Sequence, residues 1–309
     1  MKILITLVII ISTTLSAKNY AYIVSDISIP FWKIMSKGVE AEMNDNGGNV
    51  TIYSANNNIK QEIVNTIRAV EQGVDGVVLS PCTSTSAKTV LEILEKKNIP
   101  VVIADIGSVS NNYISYISSN NIKGSYELGS FLAQHLVKHS KDNGTVGIIA
   151  IPQKRDNGRA RTKGFLTALK NYNIKSAGLR QQVTFTEDET YILTKELIIA
   201  RNDVVAIWLQ GSDKYKGTQR AIKESGKDII LLTFDAEPEF IQMIASGELL
   251  ASAMQQPYFI GRKAVMTLNN HLSGKKVDKE IKVDTIVATK LNILKDLNFI
   301  NKNVLGIER

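Results

Sequence analysis

Short apolar runs alternate with amphipathic segments along most of the chain. Continuous Val- and Ile-rich runs such as residues 76–80 predict buried strands, whereas residues 60–72 place Ile63, Ile67 and Val70 on one face and predict a helix. Predicted strands cover residues 20–25, 50–54, 76–80, 100–105, 145–151, 181–186, 204–210 and 229–235. Predicted helices cover residues 31–45, 60–72, a segment capped by Ser84 or Thr85 that ends at residue 97, and residues 122–139, 159–171, 188–200, 215–225 and 259–272, with a last helix and an irregular end in 291–309. Apolar strands between helices indicate parallel sheets covered on both faces, so the pattern predicts an α/β protein.

Residues 1–17 differ from the rest of the chain. Met1-Lys2 precedes an apolar run from Ile3 to Ile11, and the small and polar residues that follow end at Ala17. This pattern is typical of a secretory signal peptide and is too short to span a bilayer. We therefore expect cleavage after Ala17 and export of a soluble mature chain, with an N-terminal membrane anchor as the alternative.

The composition is that of a globular protein, and 309 residues suffice for two domains. The net charge of +7 is spread along the chain among acidic residues, which favours a solvated basic surface over a nucleic-acid-binding patch. Cys82 is the only cysteine, so no internal disulfide can form. We expect Cys82 to be a small buried apolar residue rather than a reactive thiol.

The sequence lacks the motifs of common enzymes and cofactor sites. Residues 26–30 follow the first strand without the glycines that a dinucleotide site needs, and no Gly-x-Ser-x-Gly motif occurs. His135 and His139 are one helical turn apart, but the Glu of a His-Glu-x-x-His motif is absent. We therefore expect a protein that does not catalyse and that needs no cofactor or metal.

Several side chains that could bind a ligand follow predicted strands. Asp26, Phe31 and Trp32 lie between the first strand and its helix, and Asp105 and Asp235 each end an apolar strand. Adjacent aromatic rings can pack against a flat apolar face, and a carboxylate can accept hydrogen bonds from neighbouring hydroxyls. The alternatives are that both aromatics are core residues and that each Asp caps the following turn.

The order of short motifs along the chain resembles that of periplasmic sugar-binding proteins of the ribose- and galactose-binding type. The motifs are Pro30-Phe31-Trp32, Gly73-Val74-Asp75-Gly76, Ser80-Pro81, residues 100–105, Arg161-Thr162-Lys163-Gly164-Phe165, Phe234-Asp235 and Gln255-Gln256-Pro257. The resemblance implies the type I periplasmic binding protein fold, which has two Rossmann-like lobes with parallel sheets and a three-crossing hinge. The crossings are expected near Ser119-Asn120, Gln255-Gln256 and Asp284. The N-terminal lobe would comprise residues 18–119 and 256–284, and the C-terminal lobe residues 120–255 and 285–309.

The resemblance also implies a ligand site in the cleft between the lobes. The residues expected to bind the ligand are Asp26, Phe31, Trp32, Ser80, Asp105, Arg161, Phe185, Asp235 and Gln255. Arg159 is the alternative to Arg161, and Gln256 the alternative to Gln255. Ile29, Ser80, Ile106 and Gly211-Ser212 depart from the family pattern. They remove amide and guanidinium donors, which makes ribose itself doubtful.

The function implied is capture of a small polar ligand, such as a monosaccharide, by a monomeric periplasmic protein that delivers it to an ABC permease. The alternative is a ligand-sensing partner of a membrane histidine kinase that detects a sugar-like signal or a methylated amine. Asp105, Arg161 and Asp235 favour a polyhydroxyl ligand, whereas the lost donors favour the sensor.

Overall fold

The computed structural model describes residues 17–212 and 214–307, so the predicted signal peptide, apart from Ala17, lies outside the described residues. The strands are β1 (Asn19–Val24), β2 (Asn49–Ser54), β3 (Gly76–Ser80), β4 (Val101–Ala104), β5 (Ser115–Ser119), β6 (Thr145–Ala150), β7 (Lys175–Gln181), β8 (Val204–Leu209), β9 (Ile230–Phe234), β10 (Ala251–Met254), β11 (Glu280–Val283) and β12 (Ile286–Thr289). The helices are α1 (Pro30–Asp45), α2 (Ile59–Glu71), α3 (Ser86–Glu95), α4 (Asn121–Lys138), α5 (Asp156–Asn171), α6 (Glu187–Ala200), α7 (Tyr215–Ser225), α8 (Phe240–Ser246), α9 (Pro257–Leu272) and α10 (Leu297–Phe299), followed by a π-helical turn (Ile300–Val304). No helix in this described part combines the length and apolar character needed to cross a membrane.

The strands form two six-stranded sheets with the same order. The first is β11-β5-β4-β3-β1-β2 and the second is β12-β10-β9-β8-β6-β7. The strand pairs are parallel except for β10 and β12. The chain passes between the sheets three times: from β5 to β6, from β10 to β11 and from β11 to β12. These features confirm the predicted fold class of two Rossmann-like lobes joined by three crossings.

Helices α1 and α9 pack together over the first sheet. Met35 of α1 and Ile260 of α9 belong to one buried apolar cluster. The helices approach most closely at Gly38 and Gly261, where an added Cβ would lie 2.1 Å from the Tyr258 carbonyl oxygen and 2.2 Å from the Met35 carbonyl oxygen. No side chain larger than hydrogen fits there. Helix α9 therefore covers the first sheet although it follows a strand of the second.

The strand predicted at residues 181–186 is wrong. The strand in this part of the chain is β7, Lys175–Gln181, and the residues that follow form a loop leading to α6. β7 lies at the edge of the second sheet and its side chains are only partly buried, so its sequence lacks the apolar run typical of inner strands. Phe185, which we expected on a strand, lies in the loop with φ 54°.

Some smaller features also differ from expectation. The hydroxyl of Thr83, rather than Ser84 or Thr85, accepts the Ser86 N–H at the start of α3 (2.9 Å). The short elements β5, α8, β10, β11 and β12 were not predicted. Each is only four to seven residues long, and such runs carry little periodic signal.

Candidate functional site

Two loops in equivalent positions of the two lobes face each other across a cleft. One joins β1 to α1 and the other joins β6 to α5, each beside the point where the strand order reverses. In open α/β sheets, ligands bind at this edge. The cleft contains a small inner chamber of about 60 Å³ and a larger outer chamber of about 450 Å³.

Both lobes contribute to each chamber. The inner chamber is lined by Ile29, Phe31, Trp32, Asp105, Ile151, Arg155, Asn157, Arg161, Phe185, Gly211, Ser212, Asp235 and Gln255. The outer chamber is lined by Asp26, Ser28, Ile29, Asn57, Ile59, Cys82, Thr83, Pro152, Lys154, Arg155, Val183, Thr184, Phe185 and Lys214. Because Ile29, Arg155 and Phe185 line both, these three side chains form the boundary between the chambers.

Asp105 and Asp235 occupy matching positions, one residue beyond β4 and β9. Both adopt left-handed backbone conformations, with φ 67° and 72°, which Asp tolerates better than most residues. Their backbone N–H groups still donate to the neighbouring strands, to Ile117 O (2.8 Å) and Ala253 O (3.0 Å). Each strand therefore stays paired to its end while the following carboxylate turns into the inner chamber.

The carboxyl group of Asp105 is almost completely buried. Asn157 Nδ2 donates to its Oδ2 (3.1 Å), whereas Oδ1 has no hydrogen-bond partner within the described structure. Burial, with a further contribution from the Asp235 carboxylate, raises the pKa of Asp105 to about 6, although the guanidinium groups of Arg161 and Arg155 act in the opposite direction. The inner chamber thus presents a carboxyl group that needs another hydrogen-bond partner.

Arg161 lies at the floor of the inner chamber, on the side of the second lobe, and several contacts hold its side chain in place. Its Nε donates to Asn121 Oδ1 (2.9 Å), and its Nη1 donates to Gln210 O (2.7 Å) and, more distantly, to Asp235 Oδ2 (3.4 Å). The guanidinium carbon lies 3.9 Å from the centre of the Phe234 ring. Because the side chain is only 2% exposed, these contacts hold the guanidinium rigidly rather than leaving it mobile in the cleft.

Gln255 extends this network to the hinge. Its Nε2 donates to Asp235 Oδ1, and its Oε1 is buried without a partner in the described structure. Buried acceptors without partners are rare in folded proteins. Two such oxygens, on the chamber residues Asp105 and Gln255, favour a site that receives ligand or water hydrogens.

Aromatic rings from both lobes surround this polar floor. Phe31 and Trp32, in the first turn of α1, pack edge to face with ring centres 4.9 Å apart. Trp32 is buried against the core of the first lobe and Phe31 is half-buried. Both rings line the inner chamber, as expected for an apolar wall, and both also pack against the core of the first lobe, as the alternative proposed.

Phe185 approaches from the second lobe on a loop held by one carboxylate. The Oε atoms of Glu189 accept the N–H groups of Val183 (2.7 Å), Thr184 (3.1 Å) and Phe185 (2.8 Å). Partial burial disfavours the charged carboxylate, but these backbone bonds outweigh it and lower the pKa of Glu189. Glu189 therefore fixes the loop that places Phe185 at the boundary between the chambers.

Most of the sequence-predicted site residues meet in one place. The inner chamber brings together Phe31, Trp32, Asp105, Arg161, Phe185, Asp235 and Gln255. The two alternatives lie elsewhere: Arg159 is exposed and its Nη1 donates to Gln153 O (3.0 Å), while Gln256 Nε2 donates to Asp284 O in the hinge (2.8 Å).

Asp26 and Ser80 do not line the inner chamber. Asp26 lines the outer chamber, and its carboxylate accepts from Ser28 and from Asn57 Nδ2 (2.9 Å). Ser80 is fully buried and lines neither chamber; its hydroxyl donates to Ala104 O (3.0 Å) and bonds the Tyr22 hydroxyl (3.1 Å). Ligand contact by Ser80 does not fit this arrangement, because its hydroxyl is fully buried and already bonded within the protein.

Arg155 and Asn157 were missed as site residues, although they lie just before the predicted helix at residues 159–171. Both line the inner chamber at the start of α5, where Arg155 corresponds to Ile29 and Asn157 to Phe31 at the start of α1. That equivalence was the signal available in the sequence. Arg155 and Asn157 supply a guanidinium and an amide from the second lobe, so the donors absent at positions such as Ile106 are partly replaced from across the cleft.

Comparisons with known proteins agree with this architecture. Residues 20–276 match the family described as the periplasmic binding protein domain. The ribose import binding protein of Haemophilus influenzae is 28% identical over 91% of this chain and 94% of its own length, and that of Bacillus subtilis is 28% identical over 86% of each.

Solved structures have the same fold. A galactofuranose-binding protein is 20% identical with a TM-score of 0.83, covering 93% of this chain and 99% of its own. An ABC transporter solute-binding protein from Agrobacterium vitis with bound D-fucose is 25% identical with a TM-score of 0.78, over the same fractions. With the family match over most of the sequence, these findings identify the chain as a member of the type I periplasmic sugar-binding protein family.

Proposed function

We propose that this protein captures a monosaccharide in the cleft between its lobes and delivers it to an ABC permease. The observation that carries the proposal is the inner chamber, where Asp105 from one lobe and Asp235 and Arg161 from the other lie beside the Phe31–Trp32 pair. Carboxylates and a guanidinium can form hydrogen bonds with vicinal hydroxyls, and the aromatic rings can pack against the apolar face of a sugar.

The relatives support the same assignment. The ribose import binding proteins match nearly the whole chain, and the Agrobacterium vitis protein was solved with D-fucose. Since these are transport proteins, import is preferred to the alternative role as a sensor-kinase partner. We also propose that the protein acts by binding alone and without catalysis.

The lobe boundaries and the motion about them belong to the proposal. The N-terminal lobe comprises residues 18–119 and 256–284, and the C-terminal lobe residues 120–255 and 285–309. Sheet membership supports this division, because β1–β5 and β11 form one sheet and β6–β10 and β12 the other. Ligand that contacts both lobes favours the closed state of such a hinge.

Location and assembly complete the proposal. Cleavage of the signal peptide after Ala17 releases the chain into the periplasm as a monomer, where the closed form docks on the permease. Mass spectrometry of the periplasmic protein should find Lys18 as the first residue, and an intact Met1 on a membrane-bound form would contradict export by cleavage.

Calorimetry on the purified mature chain tests the binding function. D-Ribose, D-galactose, D-fucose, L-arabinose and D-allose form the panel, with trimethylamine N-oxide as the probe for the alternative. We expect a dissociation constant in the micromolar range or below for at least one saccharide, and small-angle scattering should show a smaller radius of gyration when it binds. Binding of trimethylamine N-oxide while every saccharide, neutral or acidic, fails to bind would contradict sugar capture and favour the sensor role.

A further inference from the structure

The inner chamber is too small to hold a ligand by itself. Its volume of about 60 Å³ compares with about 300–1,000 Å³ for typical ligand pockets, whereas the outer chamber has about 450 Å³. A ligand seated on Asp105 and Asp235 in this arrangement of the lobes therefore extends past the boundary residues into the outer chamber. The chemistry of that boundary limits what the extension can be.

Arg155 is the polar member of the boundary. Its Nη2 is 3.4 Å from Asn57 Oδ1, at the limit of a hydrogen bond, and its Nε is buried without a partner in the described structure. The guanidinium carbon lies 5.8 Å from the centre of the Phe185 ring, at the edge of cation–π range. Burial lowers the pKa of Arg155, although the nearby Asp105 carboxylate opposes the effect. Arg155 is thus a half-buried cation whose hydrogen-bonding capacity is only partly used.

The surroundings of Arg155 favour an anion on its outer side. Among the described residues, the outer chamber contains the cations Lys154, Arg155 and Lys214 and one carboxylate, that of Asp26. Both oxygens of that carboxylate already accept hydrogen bonds from Ser28 or Asn57. Helix α5 begins at this boundary: Arg155 is its N-cap residue and makes no side-chain cap, although Asp156 in the first turn, which pairs with Arg159, offsets part of the positive helix end.

The two chambers therefore differ in the groups they suit. In the inner chamber, the Asp105 and Asp235 carboxyl groups can accept hydrogen bonds from hydroxyls and would repel an anion. On the outer side, the partly unpaired guanidinium of Arg155 and the ammonium groups of Lys154 and Lys214 can bind an oxyanion.

We propose that the ligand is an acidic sugar, whose ring hydroxyls bind in the inner chamber and whose carboxylate or phosphate group binds Arg155 from the outer chamber. This assignment rests on the proposed sugar-binding function and narrows its substrate class. A guanidinium can donate to two oxygens of one oxyanion, which suits a carboxylate or a phosphate group.

Calorimetry with matched pairs of sugars tests the assignment on the mature protein. The pairs are D-galactose and D-galacturonate, D-glucose and D-glucuronate, and D-ribose and D-ribose 5-phosphate, so that carboxylate and phosphate are distinguished. In at least one pair, the acidic member should bind about tenfold to a hundredfold more tightly than the neutral one, since a charge-assisted hydrogen bond supplies that difference. The advantage should shrink as ionic strength rises.

Variants separate the role of Arg155 from general effects of charge. Arg155→Gln should bring the ratio of the neutral-sugar to the acidic-sugar dissociation constant in each pair close to one, and Arg155→Lys should retain part of the preference. Lys163→Gln is the matched control, because Lys163 is an exposed cation of the same helix outside both chambers and its loss should change nothing.

Each outcome supports or overturns one of the two assignments. Equal or weaker binding of the acidic members, or a preference that survives in Arg155→Gln, would overturn the acidic-sugar assignment and leave sugar capture intact. Failure of both neutral and acidic sugars to bind would overturn the proposed function itself.

Discussion

The buried carboxyl group of Asp105 makes the stability of the ligand-free protein dependent on pH. Asp105 is only 1% exposed, and one of its two oxygens has no partner in the described structure. Asp105→Asn replaces this group with a neutral side chain of nearly the same shape, which can still accept the bond from Asn157 Nδ2. The substitution therefore removes the titration and alters the packing little.

The direction of the effect follows from the raised pKa. The pKa of Asp105 is about 6 in the folded protein, against an ordinary value of 3.8. Between these values the folded state binds more protons than the unfolded state, so the free energy of unfolding falls as pH rises. The stabilisation is fully present below about pH 4 and is lost above about pH 6. A rise of roughly 2 in pKa corresponds to a change of about 3 kcal/mol in the free energy of unfolding.

Urea unfolding at pH 4.0, 5.0, 6.0 and 7.5, at constant ionic strength and without ligand, measures this effect. The fluorescence of the chain's two tryptophans, both buried, reports unfolding. Relative to wild type, the free energy of unfolding of Asp105→Asn should increase by about 3 kcal/mol between pH 4.0 and 7.5.

Asp228→Asn is the control, because the Asp228 side chain is 88% exposed. Its pH profile should run parallel to that of wild type. If the difference between Asp105→Asn and wild type were the same at every pH, the inference that burial raises the pKa of this carboxyl group would be refuted.

Three further predictions concern the chamber. Asp235→Ala should weaken binding of the best saccharide about tenfold to a hundredfold by calorimetry, because it removes a charge-assisted acceptor; unchanged affinity would exclude Asp235 from the site. Arg161→Ala should lower the free energy of unfolding of the ligand-free protein by about 2–3 kcal/mol, because Arg161 donates to the buried Asn121 side chain and the Gln210 carbonyl. The control Arg159→Ala should leave the melting temperature nearly unchanged. Glu189→Gln should speed amide hydrogen exchange at Phe185 about tenfold, and unchanged exchange would show that another contact fixes the loop.

The Arg161 prediction shows where sequence reasoning was incomplete. The family resemblance placed Arg161 at a helix start facing the cleft, as a ligand-binding side chain that was not expected to support the core. The structure adds Asn121, the Gln210 carbonyl and the Phe234 ring as partners. These come from three other segments, so their contacts with Arg161 depend on how α4, β8 and β9 pack.

The sequence alone determined the fold and the position of most chamber residues. Apolar strands alternating with helices require parallel sheets, and the carboxyl ends of parallel strands meet at one edge. Residues directly after β4 and β9, such as Asp105 and Asp235, therefore had to lie near the cleft. Sequence order also placed Phe31 and Trp32 at the equivalent edge, after β1.

The tertiary structure decided which side chains reach the chamber and which remain below it. Ser80 and Asp105 both end strands of one sheet, yet only Asp105 turns inward, because its left-handed backbone redirects the carboxylate. β7 could not be located from apolar content, because a partly exposed edge strand has little of it. Ile29 of the first lobe meets Arg155 and Phe185 of the second only through the relative position of the two lobes, and no local sequence pattern encodes that position.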